Sequence, residues 1–154
     1  MKPPKVSVPG TASRDDVGEL VGYLLAIADL HARRLFQQHV GSRYELRPVE
    51  FSALLLCRSG ITSPKKLAAA LRLEAPQVTI LVDRLAARGL VQRQRSSTDG
   101  RAVLVVLTDS GSELARQAHG SALAMEELML KPLSSAERAM LRELLSKVAR
   151  PTAA

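Results

Sequence analysis

The chain has 154 residues and a formal net charge of +7; 46% of its residues are hydrophobic and only 3% are aromatic. This length and apolar content suit a single domain with its own core and exclude a disordered chain, and the shortage of aromatic residues favours packed helices over a β-sandwich. The single Cys57 excludes an internal disulfide, and no apolar run is long enough to cross a membrane.

The absence of disulfide pairing suits a reducing compartment, and the first twelve residues lack the apolar core of a signal peptide. We therefore expect a cytoplasmic protein with no membrane partner. The three prolines in residues 1–12 predict a mobile N-terminal arm, followed by one domain over residues 13–150.

A long first helix is predicted from Ser13 to about His39, with Asp16 in its first turn. Leu25 and Leu30 make its apolar surface wider than the single stripe of a helix that has one face buried and the other exposed to solvent. This width predicts contact with a second chain. Gly41 and Ser42 are expected to end the helical pattern.

Residues 48–107 have the pattern of a winged helix-turn-helix. Pro48 opens a second helix that Gly60 closes, and Ser63 with Pro64 begins a third. A fourth helix over residues 75–88 has a buried stripe formed by Val78, Leu81, Val82 and Leu85, and Gly89 ends it as a C-cap. Two strand-like runs, residues 90–95 and 101–107, flank a turn signal at Asp99-Gly100.

Two further helices complete the predicted chain. Thr108 caps the fifth, which runs towards Lys131, and Ser134 with Glu137 forms a capping box for the sixth. The sixth is expected to bury Met140, Leu141, Leu144, Leu145 and Val148. The predicted fold class is mainly α with a small β-hairpin wing (α+β). Helices from both chain ends, residues 13–40 and 108–150, form a dimerisation lobe beside the winged lobe.

Positive charge is concentrated in the winged region. Residues 58–101 contain nine Lys or Arg against three acidic residues, so this stretch carries +6 of the net +7. Such a concentration is typical of a surface that binds phosphates, and it predicts a nucleic-acid partner.

The motif at 78–91, Val-Thr-x-Leu-Val-Asp-Arg-Leu-x-x-Arg-Gly-Leu-Val, resembles the DNA-binding lobe of the multiple-antibiotic-resistance regulator (MarR) family. So do Asp99-Gly100-Arg101 and Leu-Val-Val-Leu-Thr-Asp-x-Gly at 104–111. The resemblance implies a homodimer that binds a pseudo-palindromic operator on double-stranded DNA, acting as a repressor that a small aromatic acid or phenol releases.

Roles for individual residues follow from the docking of a recognition helix in the major groove by its N-terminal end, where Ala75 and Pro76 lie. Gln77 suits adenine and Thr79 a thymine methyl or a phosphate. The side chains expected at phosphates are Lys65, Arg72 and Arg84. Arg93 and Arg95, two apart on one face of a strand, are further candidates for DNA contact. In the family, an aspartate such as Asp99 braces an arginine such as Arg101 in the minor groove.

Candidates for an effector site between the two lobes combine an aromatic wall with a cationic group: Tyr23, His31, Arg34, Phe51, Leu55 and Arg58. The alternatives are an oxidant- or metal-responsive regulator, an architectural DNA-binding protein without an effector, and an interaction module that has lost DNA binding. No catalytic motif, metal site or cofactor motif is apparent, and Cys57 is interpreted as a buried hydrophobe.

Overall fold

The computed structural model describes residues 18, 20–97 and 102–150. Within these residues, six α-helices of eight or more residues and one two-stranded antiparallel sheet follow the predicted order. They are α1 (Val21–Phe36), α2 (Pro48–Arg58), α3 (Pro64–Leu71), α4 (Ala75–Ala87), β1 (Val91–Arg95), β2 (Val103–Leu107), α5 (Asp109–Met129) and α6 (Ser135–Val148). The predicted fold class, mainly helical with a hairpin, is confirmed. The predicted N-terminal arm and the Ser13 helix start lie outside the described residues.

The chain divides into two compact units, with the boundary after Arg34. In the first unit, α1 carries exposed apolar side chains at Leu24, Ile27 and Leu30. An ion pair between Arg33 and Asp29, one helical turn apart, lies on the same helix, with 2.6 Å between Nε and Oδ2. The described part of the first unit is therefore a helix that carries several exposed apolar side chains.

The prediction that Gly41 and Ser42 end the first helix is wrong. A π-helical segment, Gln37–Gly41, follows α1 directly, and a single helical turn, Ser42–Tyr44, follows that. Gly41 and Ser42 both have right-handed helical dihedrals, and the run ends only at Glu45, which has a φ of +53°. Val40 and Leu46 are both buried here, so core packing outweighs the weak helix propensity of glycine.

The core of the second unit is aliphatic, as the composition predicts. Its largest fully buried side chains come from five different parts of the chain: Val40, Leu54, Leu67, Leu85 and Val105. The rings of Phe36 and Phe51 pack at its edge, with 5.5 Å between centroids. Burial of each large aliphatic side chain contributes about 1.5–3 kcal/mol, which makes this core the main force that fixes α2, α3 and α4 against the hairpin.

Local signals set the ends of α3 and α4. Pro64 occupies the first turn of α3, and Arg72 at its end has a φ of +54°. Glu74 precedes α4, and its backbone N–H donates to Gln77 Oε1 at 2.9 Å. Gly89, with a φ of +69°, follows the last turn, as predicted for a C-cap glycine. All four members of the predicted α4 stripe are buried.

The hairpin pairs Val91 with Leu107 and Arg95 with Val103. On its other edge, the Val105 N–H donates to the Thr62 carbonyl at 2.8 Å, so the residues before α3 hold the hairpin against the helices. The predicted turn at Asp99-Gly100 and the adjoining Arg101 lie outside the described residues. The wing is thus described from its base up to residues 97 and 102.

The start of α5 is joined closely to the end of α4. Thr108 caps α5 as predicted, since its Oγ1 accepts from the Gly111 N–H at 3.0 Å and also donates to the Gly89 carbonyl at 2.6 Å. The predicted Ser134 and Glu137 capping box opens α6. However, Met140, Leu144, Leu145 and Val148 are exposed and Leu141 is half-buried, so the expectation that α6 buries them is wrong for a single chain.

Candidate DNA-binding surface

The exposed side of α4 carries a polar amide side chain, Gln77, next to small residues. Ala75 and Pro76 form its exposed first turn, and Gln77, Thr79 and Ile80 are exposed beyond it. The Thr79 hydroxyl donates to the Ala75 carbonyl at 3.2 Å. The Gln77 oxygen accepts from Glu74, while its Nε2 can still donate to a ligand. The N-terminal end of α4 therefore presents hydrogen-bonding groups and apolar atoms to solvent.

Arg84 lies two helical turns after Gln77 on α4. It faces the carboxylate of Glu50, which the sequence analysis did not identify as part of this surface. Its Nη1 is 3.7 Å from Oε1 of Glu50, which is only 2% exposed. Glu50 Oε2 accepts from the Arg47 N–H at 2.9 Å, which caps the start of α2. An acidic residue two positions after Pro48 was the signal for this cap, because acids at the third helical position close capping boxes.

A groove of about 330 Å³ runs between the start of α2 and the exposed side of α4. Arg47, Gln77 and Arg84 supply its polar groups, and Leu73 and Ile80 are among its apolar residues. The groove brings two of the predicted DNA contacts, Gln77 and Arg84, to one surface.

Two described basic residues of the wing, Arg93 and Arg95, lie in different surroundings. Arg93 Nη2 is 2.6 Å from Asp83 Oδ1, which links β1 to α4. Arg95 is two residues further on the same face of the strand, as predicted, and it is exposed. Asp99 and Arg101 lie outside the described residues, so their predicted brace and minor-groove contact stay predictions.

Two other arginines of the basic stretch bind backbone carbonyls. Arg72 donates to the Ala149 carbonyl after α6. Arg88 donates from Nη1 to the Glu45 carbonyl at 2.7 Å and from Nη2 to the Tyr44 carbonyl at 3.1 Å. Lys65 is exposed near the start of α3. The positive charge counted in the sequence is therefore divided between structural contacts and side chains that are accessible to a phosphate.

The six effector candidates lie three on each of two helices. Tyr23, His31 and Arg34 are exposed on α1. On α2, Phe51, Leu55 and Arg58 recur at helical spacing and share a face; the first two are half-buried and Arg58 is exposed. Arg58 Nη2 lies 3.0 Å from His119 Nδ1 on α5.

Cys57 lies on α2 and is 7% exposed. Burial raises the pKa of its thiol to about 11, which keeps the sulfur protonated and a poor nucleophile near neutral pH. Among the described residues, there is no group of three or more His, Cys, Asp or Glu side chains arranged to hold a metal ion. None of the described helices is long and apolar enough to cross a membrane.

A helix-turn-helix with a hairpin wing and an exposed recognition helix defines a winged-helix DNA-binding protein. Residues 44–102 match the sequence profile of the MarR family. The chain is also 33% identical over 149 residues to the HTH-type transcriptional repressor NicR of Pseudomonas putida, an alignment that covers 94% of each protein. The chain belongs to the MarR family of DNA-binding transcriptional regulators.

Two solved structures are similar over most of the chain. One is the transcriptional repressor CouR, from Rhodococcus jostii, bound to a 23-mer DNA duplex. It is 29% identical with a TM-score of 0.82 and covers 92% of this chain and 100% of CouR. The other is Bordetella bronchiseptica BpsR, whose DNA binding is regulated by 6-hydroxynicotinic acid. It is 28% identical with a TM-score of 0.78, over 88% of this chain and 96% of BpsR.

Proposed function

We propose that this protein is a homodimeric repressor that binds a pseudo-palindromic operator and is released by a small aromatic acid or phenol. The observation that carries the proposal is that α4 has one buried apolar face and one exposed face with polar side chains. Its apolar stripe, Val78, Leu81, Val82 and Leu85, is buried, while Gln77 and Thr79 face solvent at its N-terminal end. This end of a recognition helix is the part that contacts base edges in the major groove.

Base reading is assigned to Gln77 and Thr79. An amide can donate to adenine N7 and accept from adenine N6, and the Gln77 oxygen has a second lone pair beyond the one that caps α4. The Thr79 hydroxyl bonds to its own helix, which leaves the methyl group for apolar contact with a thymine. Both contacts lie at the start of α4, so they fall within one half of the operator.

Phosphate contacts are assigned to basic side chains that surround α4. Lys65 and Arg95 are exposed on α3 and β1. Arg93, also on β1, has its guanidinium held by Asp83 of α4. Such contacts fix the register of the protein on DNA and carry little sequence information. Arg101 at the wing tip, braced by Asp99, is assigned to the minor groove, where a guanidinium suits a narrow A·T-rich segment.

Dimerisation is assigned to the helices from the two chain ends. α6 exposes a row of apolar side chains at one-turn spacing, Met140, Leu144 and Val148, at 55%, 49% and 66%. Exposed apolar surface of this extent normally marks an interface. A two-fold dimer would present two recognition helices to two half-sites about one helical turn of DNA apart.

Effector release is supported by the chemistry of the candidates on α2. Phe51 offers a half-buried ring and Arg58 an exposed guanidinium on the same helix face, which together suit an aromatic carboxylate. BpsR, a similar protein, responds to 6-hydroxynicotinic acid, a ligand of this class. The candidates on α1, Tyr23, His31 and Arg34, stay a prediction from the sequence.

The experiment that tests the proposal is selection of DNA from a random pool by the purified protein, followed by sequencing. We expect an inverted repeat with half-sites centred about ten base pairs apart. The selected duplex is then titrated with 6-hydroxynicotinate, salicylate and benzoate, with cyclohexanecarboxylate as a non-aromatic control. Selection of no motif would overturn sequence-specific binding in favour of an architectural role, and release by none of the aromatic acids would overturn the effector class.

A further inference from the structure

Glu50 has a charged side chain that is almost completely buried, and burying a charge costs desolvation free energy unless the charge is paired. Glu50 is 2% exposed, and it lies on α2 next to Arg84 of the recognition helix. One oxygen serves the α2 cap by accepting from the Arg47 N–H at 2.9 Å. The other oxygen faces Arg84 Nη1 at 3.7 Å. A buried charge is normally retained only where it is paired, and here its charged partner belongs to the recognition helix.

We propose that Glu50 is a specificity-determining residue, because its carboxylate restrains Arg84 and limits the phosphate contacts that this arginine makes with DNA of any sequence. The inference rests on the proposed DNA-binding function. It concerns how strongly the protein prefers its operator over other DNA, and it assigns that control to a residue that does not itself reach DNA.

The geometry allows Arg84 to be restrained and still close to DNA. Arg84 is seven residues after Gln77, which is two helical turns, so the two side chains lie on the same side of α4 and line the same groove. The 3.7 Å separation from Glu50 is too long for a direct hydrogen bond and short enough for an ion pair. The Arg84 side chain remains 43% exposed, so its guanidinium can reach a phosphate when the attraction of Glu50 is removed.

The physical consequence differs between operator and other DNA. Complexes with other DNA depend almost entirely on phosphate contacts and on the counterions that those contacts release. A guanidinium that is partly neutralised by a carboxylate contributes less to that release. In the operator complex, base contacts hold α4 at one position along the DNA, so Arg84 cannot shift to the most favourable phosphate. On random DNA the protein can shift, and a guanidinium released from Glu50 gains its full phosphate contact. The ion pair therefore lowers affinity for random DNA more than affinity for the operator.

The test uses Glu50→Gln, whose amide oxygen can still accept from the Arg47 N–H while the charge is lost. Dissociation constants are measured on the selected operator and on a scrambled duplex at several salt concentrations. We expect affinity for the scrambled duplex to rise about three- to tenfold at low salt and the log–log salt slope to steepen by up to about 0.9 per subunit. The ratio of operator to scrambled affinity should fall about threefold.

Two further variants show whether the effect passes through Arg84. Arg84→Ala alone should change the salt slope little, and Glu50→Gln with Arg84→Ala should return the slope to the wild-type value. Glu74→Gln is the matched control, because it removes an exposed carboxylate at the start of the same helix. Whatever shift it causes should persist when Arg84 is also replaced.

The inference is overturned if Glu50→Gln keeps the wild-type slope and affinity ratio, or if its effect survives in the double variant. If Glu50→Gln does not fold, as judged by circular dichroism, Arg84→Ala decides the matter. A slope that flattens by about 0.9 per subunit in Arg84→Ala would show a full, unrestrained phosphate contact and would contradict the inference. A wild-type protein that does not prefer the operator overturns the proposed function itself, which is a different result.

Discussion

Gln77 is the residue on which base recognition depends in the proposed complex. Its oxygen caps α4, and the side chain is exposed, which leaves its Nε2 as a hydrogen-bond donor for a base. We expect Gln77→Ala to relax the preference at one base pair in each half-site and to leave the salt slope nearly unchanged, because a base contact releases no counterion. Binding isotherms on duplexes substituted at each position would measure this.

The matched control for Gln77 is Gln94→Ala, which removes an exposed amide from β1. It should leave the pattern of base preference as in the wild type. If Gln77→Ala instead weakens binding to every duplex by the same factor, Gln77 is not a base reader and its role is limited to capping α4.

Cys57 should behave as a buried thiol with little reactivity. With a pKa of about 11 against an ordinary value of 9.0, its thiolate fraction at pH 8 is about a hundredfold smaller than that of a free cysteine. We expect iodoacetamide to modify the folded protein at least that much more slowly than the urea-unfolded protein. Cys57→Ser should keep both the operator affinity and its response to peroxide. Peroxide-induced release that disappears in Cys57→Ser would show that the thiol is a sensor.

The same pKa shift predicts a pH dependence of stability. Because the pKa is raised in the folded state, the contribution of the neutral thiol to the free energy of unfolding is complete below about pH 9. It is lost as the pH rises towards 11, since the unfolded thiol ionises first. Urea denaturation of wild type and Cys57→Ser between pH 7 and 11 would measure this contribution, and the difference between the two proteins should shrink as the pH rises.

At the scale of elements, the junction between α4 and α5 has the closest backbone approach among the described glycines. A Cβ built on Gly111 would lie 1.8 Å from the Leu90 carbonyl oxygen, so the start of α5 could not keep its present position. Thr108 and Ser110 also donate to the Gly89 carbonyl here. The end of the recognition helix is thereby fixed to the long helix that leads to the proposed dimer interface.

We therefore expect Gly111→Ala to lower the free energy of unfolding by about 3 kcal/mol or more, at the upper end of the usual cost of overpacking. Gly120→Ala is the matched control in the same helix, because no atom lies within 4 Å of its added Cβ. It should stabilise the protein by about 0.5–1 kcal/mol through helix propensity. Equal effects of the two variants in urea denaturation would contradict the close contact at Leu90.

At the scale of the whole molecule, the exposed apolar row of α6 is the surface on which we predict that a second chain packs. We expect sedimentation equilibrium at micromolar concentration to give twice the mass of one chain. Leu144→Glu should shift the protein towards monomer, because a charge in an apolar interface loses its hydration without gaining a partner. Operator affinity should fall with it, since two half-sites would no longer be bound together.

Ser146→Glu, which adds a charge to an exposed polar position on α6, is the control for net charge and should remain dimeric. A wild-type protein that sediments as a stable monomer and still binds an inverted repeat tightly would contradict the dimer. A dimeric Leu144→Glu would place the interface on other residues of the terminal helices.

The sequence by itself determined the order of helices and strands in the described chain and most of their ends. Pro48, Pro64, Thr108 and Ser134 mark helix starts, and Gly89 marks an end, because caps and fixed dihedrals act within a few residues. The α4 stripe was equally predictable, since a period of 3.6 residues places one face against the core. The exposed reader Gln77 follows from the same periodicity.

Only the tertiary structure decided which charged groups meet. Glu50 and Arg84, Asp83 and Arg93, and Arg88 with the Tyr44 and Glu45 carbonyls are distant in sequence or on different elements, and no local pattern predicts their distances. The helical dihedrals at Gly41 likewise depend on the burial of Val40 and Leu46. The exposure of the apolar side chains of α6 depends on which other elements pack against that helix. Capping energies act over a few residues of chain, whereas ion pairing and burial depend on how separate elements pack in space.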